Sequence, residues 1–132
     1  MKRVAFACVT LVMGLFFVTA VFALDQAAKD GIKNQVDEIA VAIDGGKKAD
    51  DFKSAAKKEP YYAFIMEEDG NLLVHPSLEG QSLKAKAEPV FTAVAKATPG
   101  GLWVDYEWQG KMKHSYVRKT KSNLIVGSGY SD

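Results

Sequence analysis

Apolar side chains recur at every third or fourth position between Asp25 and Asp44, with charged residues between them. This spacing predicts an amphipathic helix that is capped at Asp25 and stopped by Gly45-Gly46. A second, shorter helix is predicted from Ala49 to Glu59. It ends there because Pro60 cannot continue a helix.

After Pro60 the pattern changes to aromatic and β-branched stretches separated by turn residues, which is typical of strands. Asp69-Gly70 predicts a tight hairpin turn, and Ser77–Lys86 is expected to be a connection. The predicted strands are Tyr61–Glu68, Asn71–His75, Leu102–Trp108, Lys111–Lys119 and Ser122–Tyr130, and the third helix is Glu88–Thr98. Because strands joined by tight turns form antiparallel sheets, the predicted class is α+β. We expect a long N-terminal helix and a five-stranded antiparallel sheet with helices on one face.

The first 23 residues resemble a secretory signal. Lys2 and Arg3 precede an uncharged apolar stretch that ends in Val21-Phe22-Ala23, where small residues suit cleavage by signal peptidase. An uncleaved membrane anchor stays open, since the stretch is long enough to span a bilayer. Either way we expect residues 24–132 to form a single exported domain, periplasmic or secreted, and membrane-anchored if the signal is kept.

Composition excludes several function classes. The 17 basic and 16 acidic side chains are interspersed, which argues against a nucleic-acid partner. The single cysteine, Cys8, lies in the signal, so disulfides, thiol catalysis and cysteine metal sites are not expected in the exported domain. Asp105, His114 and Ser115 superficially suggest a catalytic triad, but strand alternation places Ser115 on the face opposite His114. We therefore expect no enzyme, no metal and no cofactor.

The remaining motifs suggest a family when they are read in order. They are Tyr62-Ala63-Phe64-Ile65-Met66, Asp69-Gly70-Asn71, Leu73-Val74-His75-Pro76, Glu79-Gly80-Gln81-Ser82-Leu83, Gly101 to Trp108, Lys113 to Val117, and Ile125 to Tyr130. This order and spacing resemble a single Cache domain of the second type, which has an extracytoplasmic PAS-like fold. The match covers most of residues 24–132.

The resemblance implies a ligand-binding domain of the kind found in chemoreceptors and sensor kinases, where it serves chemotaxis and signal transduction. Such domains bind small organic acids, often acetate, propionate, lactate or pyruvate. The sequence ends two residues after Tyr130, so we expect a binding domain without its own output module, working with a membrane sensor kinase or chemoreceptor. The alternative is a structural module that binds no ligand and forms a homodimer through its first helix.

Strand alternation also predicts a binding site. If Gln109-Gly110 is a two-residue turn, Tyr106 opposes Lys113 on the more apolar face, and Ser115 shares that face. A lysine in an apolar region needs an anionic partner, so a bound carboxylate is one candidate, with the hydroxyl groups of Tyr106 and Ser115 completing its hydrogen bonds. Two alternatives stay open: Lys113 extends to the sheet edge, or it pairs with an acid from a helix.

The first hairpin adds further candidates. With Asp69-Gly70 as its turn, Phe64 opposes His75 and Met66 opposes Leu73. One face therefore carries Tyr62, Phe64, Met66, Leu73 and His75. His75 then either donates a hydrogen bond to a ligand or caps the turn beside Pro76.

Two more features border the predicted pocket. Trp108 either covers the pocket or only stacks at its edge. Gly127 and Gly129 in the last strand indicate a bulge or a close approach to the backbone, and a close approach would suit a ligand lying against the strand. Trp103 and Tyr116 are predicted to pair on the outer face.

Overall fold

A computed structural model describes residues 26–132. The predicted signal segment, its cleavage site and the predicted cap Asp25 lie outside the described residues. The chain divides into two compact units, residues 1–31 and 32–132. Of the first unit the structure describes residues 26–31, which are helical.

The second unit is built on a five-stranded sheet. Its strands are β1 (Ala63–Met66), β2 (Leu72–Val74), β3 (Leu102–Trp108), β4 (Lys111–Lys119) and β5 (Ile125–Ser131). They pair in the order β2-β1-β5-β4-β3, and every pair is antiparallel. The predicted α+β class and the five-stranded antiparallel sheet are confirmed.

The helices lie near their predicted positions. The first, α1, covers residues 26–44 and ends at Gly45-Gly46, where Gly46 has a φ of +114° that favours glycine. The predicted second helix is a 3-10 helix, Ala49–Lys57. The predicted connection contains a short helix, α2 (Leu83–Lys86), whose first turn is capped by Ser82 Oγ accepting from the Ala85 N–H at 3.2 Å. The last helix, α3, is Glu88–Val94.

Helices cover both faces of the sheet, whereas the sequence predicts them on one. The cause is visible in β1, where all four residues are buried and therefore alternate between two apolar layers. Ala63 and Ile65 pack with residues 32–44 of α1 and with the 3-10 helix. Phe64 and Met66 pack on the opposite face, against α2 and α3. We call this second side the pocket face and the α1 side the outer face.

The second hairpin has the predicted register throughout. Tyr106 pairs with Lys113 and Val104 pairs with Ser115. Gln109 and Gly110 form the turn with φ values of 52° and 80°, the positive pair that a tight type I′ turn requires. Lys113 and Ser115 therefore lie on the pocket face, as predicted from alternation.

The first hairpin departs from its predicted register. Ile65 pairs with Val74, but Met66 pairs with Leu72 across an irregularity, so the predicted pairing of Met66 with Leu73 is wrong. Leu72 is held by its own N–H, which donates to the carbonyl of Gln81 at 2.9 Å. As a result Leu72, and not Leu73, joins the apolar layer of the pocket face.

None of the helices within residues 26–132 has the length and hydrophobicity that a bilayer crossing requires.

Candidate functional site

A small pocket lies between the sheet and the helices of the pocket face. Its lining residues are Tyr62, Phe64, Leu72, His75, Leu83, Val90, Val94, Tyr106 and Trp108. The space available to the centre of a water-sized sphere is about 10 Å³, room for about one water. A larger ligand has to displace side chains in order to enter.

Four of the six predicted site residues line this pocket: Phe64, His75, Tyr106 and Trp108. The other two, Lys113 and Ser115, do not line the pocket but contact side chains that do. Lys113 Nζ donates to Tyr62 Oη at 2.7 Å, and Ser115 Oγ lies 2.9 Å from Tyr106 Oη. The structure thus brings all six together, with Lys113 and Ser115 supporting the hydroxyl groups of lining tyrosines.

Lys113 is buried and has no acidic partner within residues 26–132. Its exposed fraction is 4%, and burial lowers the pKa of its ammonium group to about 8. Nζ lies 4.2 Å from the centroid of the Tyr62 ring, so the ring face supplies some cation–π stabilisation. Among the described residues its hydrogen-bond partner is a neutral hydroxyl, and no carboxylate forms an ion pair with it. Within residues 26–132, Lys113 neither extends to the sheet edge nor pairs with a helix acid.

Tyr62 is a polar lining residue that the predicted site did not include. Its hydroxyl accepts from Lys113, and burial raises its pKa, so the phenol keeps its own proton. That O–H is available to donate to a ligand. Strand alternation already places Tyr62 on the face of Phe64, but its contact with Lys113 joins residues 51 positions apart, which no local pattern indicates.

His75 both caps a turn and lines the pocket. Its Nδ1 accepts from the N–H groups of Ser77 at 3.1 Å and Leu78 at 3.0 Å, which confirms the turn-cap prediction. Because Nδ1 accepts, the ring proton is on Nε2, the remaining donor. Burial, together with the positive charge of Lys113, lowers the pKa of His75 to about 4, so the ring is neutral near pH 7.

Aromatic rings surround His75. Its ring centroid lies 5.7 Å from that of Tyr62, 6.2 Å from that of Trp108 and 6.5 Å from that of Phe64. Trp108 is half-buried at the end of β3, beside the hairpin turn. These rings lower the local polarity, which strengthens the electrostatic influence of Lys113 on anything bound there.

The hydroxyl groups of Tyr106 and Ser115 form a hydrogen bond with each other, whereas the sequence predicts that both form hydrogen bonds with a ligand. Both are buried, and burial raises the pKa of Tyr106 to about 12. Ser115 is closed in further by Gly129, where any side chain would collide with Ser115 Oγ. Ser115 is therefore placed to orient the Tyr106 hydroxyl.

Packing explains why position 127 is a glycine. A Cβ added there would collide with the ring of Phe64. Of the two predicted explanations, a close approach to the backbone is confirmed, and the group that approaches is the Phe64 side chain.

The outer face carries a second polar cluster. His114 Nδ1 lies 2.7 Å from Asp105 Oδ1, and its Nε2 lies 2.9 Å from Asp132 Oδ1. These contacts place His114 and Ser115 on opposite faces, as predicted. Trp103 and Tyr116 pair edge to face with centroids 5.5 Å apart, which confirms the predicted outer-face pair.

Comparison with known proteins supports the fold. No protein-family model and no curated protein matches the chain. A methyl-accepting chemotaxis protein from Vibrio parahaemolyticus RIMD 2210633 matches in structure with a TM-score of 0.59 and 18% sequence identity, over 82% of this chain and 90% of that chain. The ligand-binding domain of Mlp24 with asparagine matches with a TM-score of 0.44 and 14% identity, over 64% of this chain and 35% of that chain. The chain thus shares its fold with a chemotaxis protein.

Proposed function

We propose that residues 24–132 form an extracytoplasmic binding domain for a short carboxylate such as acetate, propionate, lactate or pyruvate. The observation that carries this proposal is Lys113, a buried ammonium group whose hydrogen-bond partner among the described residues is a neutral hydroxyl. Burying a charge without a counter-charge is costly, and a bound anion offsets that cost.

Three groups at the sheet side of the pocket hold the carboxylate in this proposal. Tyr62 donates its O–H, which the ammonium group of Lys113 polarises from behind, since Lys113 Nζ donates to the same oxygen at 2.7 Å. His75 donates from Nε2, because Nδ1 is occupied by two backbone N–H groups. Lys113 contributes the positive charge, while the hydrogen bonds from Tyr62 and His75 orient the carboxylate.

The pocket has to open slightly to admit such a ligand. With room for about one water, it is smaller than acetate. Trp108 is the lining ring at the end of a strand, next to the Gln109-Gly110 turn. We infer that it moves aside on entry and then covers the ligand.

The proposed location and partner follow from the same interpretation. The basic tip and apolar stretch of residues 1–23 favour export. The shared fold with a chemotaxis protein supports a role in small-molecule sensing beside a membrane chemoreceptor or sensor kinase. We therefore propose a single Cache domain of the second type.

Binding is tested with pairs of acids and amides. Acetate, propionate, lactate and pyruvate are each compared with the matching amide by thermal shift and calorimetry on the purified protein. At a hundred times its dissociation constant, a bound acid adds about 2.7 kcal/mol to the free energy of unfolding. The acids should raise the melting temperature and the amides should not. Absence of a shift with every acid contradicts the proposal.

One observation favours the alternative of a dimerising module without a ligand. Val41 on α1 is 57% exposed, so its apolar side chain is available to contact the first helix of a second copy of the chain. Sedimentation of the wild type and of Val41→Lys measures self-association through this position. A dimer that Val41→Lys disrupts, in a protein that no acid stabilises, would favour this alternative.

A further inference from the structure

The segment just before β1 contacts both faces of the sheet. The ring of Tyr61 packs on the outer face with α1, whereas the next ring, that of Tyr62, packs on the pocket face. The pairing of β1 with β5 begins one residue later, at Ala63 and Ser128. Tyr61 and Tyr62 thus lie just outside the strand pairing that fixes β1.

Side chains from α1 and β5 hold the backbone of this segment. The side-chain amide of Gln35 donates from Nε2 to the carbonyl of Tyr61 at 3.1 Å and to Ser128 Oγ at 3.1 Å. Ser128 Oγ in turn donates to the carbonyl of Tyr62 at 2.7 Å. Both protons of the amide and the single proton of the hydroxyl are used, so the direction of each of these three hydrogen bonds is fixed.

The two side chains of this connection come from firmly packed elements. Ser128 is fully buried in β5, and Ile32 and Val36, on either side of Gln35 along α1, are buried as well. Ile32 and Val36 belong to the apolar cluster of the outer face. Because a shift of α1 would open a void in that cluster, the amide of Gln35 has a fixed origin.

The connection ends at a group that the proposed site uses. The hydroxyl of Tyr62 accepts from Lys113 at 2.7 Å and keeps its own proton for a ligand. The ring is rigid and has only two rotatable bonds, so a displacement of the Tyr62 backbone is carried to the hydroxyl. Since hydrogen bonds weaken steeply with misalignment, the position of this backbone sets the strength of both contacts.

We propose that Gln35 and Ser128 are positioning residues of the pocket, which hold Tyr62 where its hydroxyl meets both Lys113 and a bound anion. This inference rests on the proposed binding of a carboxylate. It makes α1 a support of the site, although none of residues 26–44 lines the pocket. Because coupling between two sites is reciprocal, a ligand on Tyr62 should also alter the surroundings of the Gln35 amide.

Removing the connection from either end tests the proposal. Calorimetry with acetate, propionate, lactate and pyruvate is performed on the wild type, Gln35→Met and Ser128→Ala, and circular dichroism verifies that each variant folds. We expect each variant to lose affinity by at least about fivefold, the low end of usual coupling between sites. Asn34→Met is the matched control, because Asn34 is an exposed amide on the same helix. Its affinity should equal that of the wild type.

A double-mutant cycle separates the positioning of Tyr62 from a general loss of stability. Tyr62→Phe lacks the hydroxyl, so adding Ser128→Ala to it should reduce affinity no further. If the two losses multiply instead, Ser128 acts on the fold and not through Tyr62, and the proposal is overturned. Folded Gln35→Met and Ser128→Ala variants that bind as tightly as the wild type would overturn it as well.

Nuclear magnetic resonance of the wild-type protein tests the reciprocal effect without any variant. The acid that binds most tightly should shift the side-chain amide signals of Gln35 and leave those of Asn34 unchanged. An unchanged Gln35 amide at saturating acid would overturn the inference while leaving carboxylate binding intact. If none of the four acids binds the wild type, the proposed function itself fails and this inference fails with it, so the two failures are distinguishable.

Discussion

The two histidines of the chain lie on opposite faces of one sheet and have opposite surroundings. On the outer face, His114 forms hydrogen bonds with Asp105 and Asp132, and these contacts raise its pKa against the opposing effect of burial. On the pocket face, His75 has no carboxylate partner among the described residues, and burial with the charge of Lys113 lowers its pKa to about 4. The imidazole of His114 is therefore paired with carboxylates, whereas that of His75 is kept neutral by its surroundings.

The difference shows which cluster balances its own charges and which does not. We call the first complete and the second incomplete. The outer cluster contains its own counter-charges, so it has no need of a further partner. The pocket cluster contains a buried positive charge whose described partner is a neutral tyrosine hydroxyl. A missing counter-charge in an apolar pocket is a better indication of a binding site than the presence of polar residues alone.

The largest expected effect comes from removing the buried charge. Lys113→Met keeps the length and apolar stem of the side chain but removes the ammonium group. We expect carboxylate affinity to fall by at least about 30-fold, the usual scale for losing one partner of a buried charge pair. The ligand-free variant should be about as stable as the wild type or more stable at pH 7, since the burial cost disappears. Calorimetry and chemical denaturation measure the two quantities.

Lys111→Met is the matched control, because Lys111 is exposed on the same strand. It should change neither affinity nor stability by more than a few tenths of a kcal/mol. If Lys113→Met binds the carboxylate as tightly as the wild type, the buried ammonium group does not need a bound anion. The pocket cluster would then be no more a binding site than the outer cluster is.

A second test uses pH to separate the clusters. The pKa of Lys113 in the free protein is about 8, below its ordinary value of 10.5, so its ammonium form predominates below pH 8. Carboxylate affinity should therefore be constant below that pH and fall by about tenfold for each unit above it, until the higher pKa of the bound state is reached. His75, with a pKa of about 4, should add no change between pH 5.5 and 7. Calorimetry from pH 6 to 9.5 measures this profile, and a flat profile would contradict the role of Lys113.

The same lowered pKa predicts how stability depends on pH. Between about pH 8 and 10.5 the unfolded chain holds a proton on Lys113 that the folded chain has released, so the free energy of unfolding should rise with pH. The ionisation of unfolded tyrosines opposes this rise above about pH 10. Denaturation of the wild type and Lys113→Met, compared from pH 7 to 9.5, isolates the lysine. The rise should be absent from the variant.

Some of this site follows from sequence, and the reason is local geometry. The Gln109-Gly110 turn fixes the β3–β4 register, and alternation then carries Lys113 and Ser115 to the pocket face. The register of the first hairpin could not be predicted in the same way, because the Leu72 N–H donates to the carbonyl of Gln81, which lies outside the hairpin. Tyr62 was not included in the predicted site for a similar reason: its importance arises from a contact with Lys113 that only the folded chain creates.

The smallest expected effect belongs to the outer cluster. The folded-state pKa of His114 is raised above 6.5, so its stabilising contribution is fully present below about pH 6.5 and is lost as pH rises through the folded value. His114→Gln should therefore lower the free energy of unfolding at pH 5.5 by less than about 1 kcal/mol, because the cluster is largely exposed. At pH 9 it should change stability little.

Chemical denaturation at both pH values measures the effect, and Asp105→Asn, which removes one acid from the same histidine, should show the same pH dependence. Carboxylate affinity should be unchanged in both variants, because His114 faces away from the pocket and its charge is balanced by its own acids. A change in affinity would mean that the two faces are coupled through β4, on which His114 alternates with Lys113 and Ser115. In that case the separation of a complete cluster from an incomplete one would fail, since protonation on the outer face would then alter binding on the other.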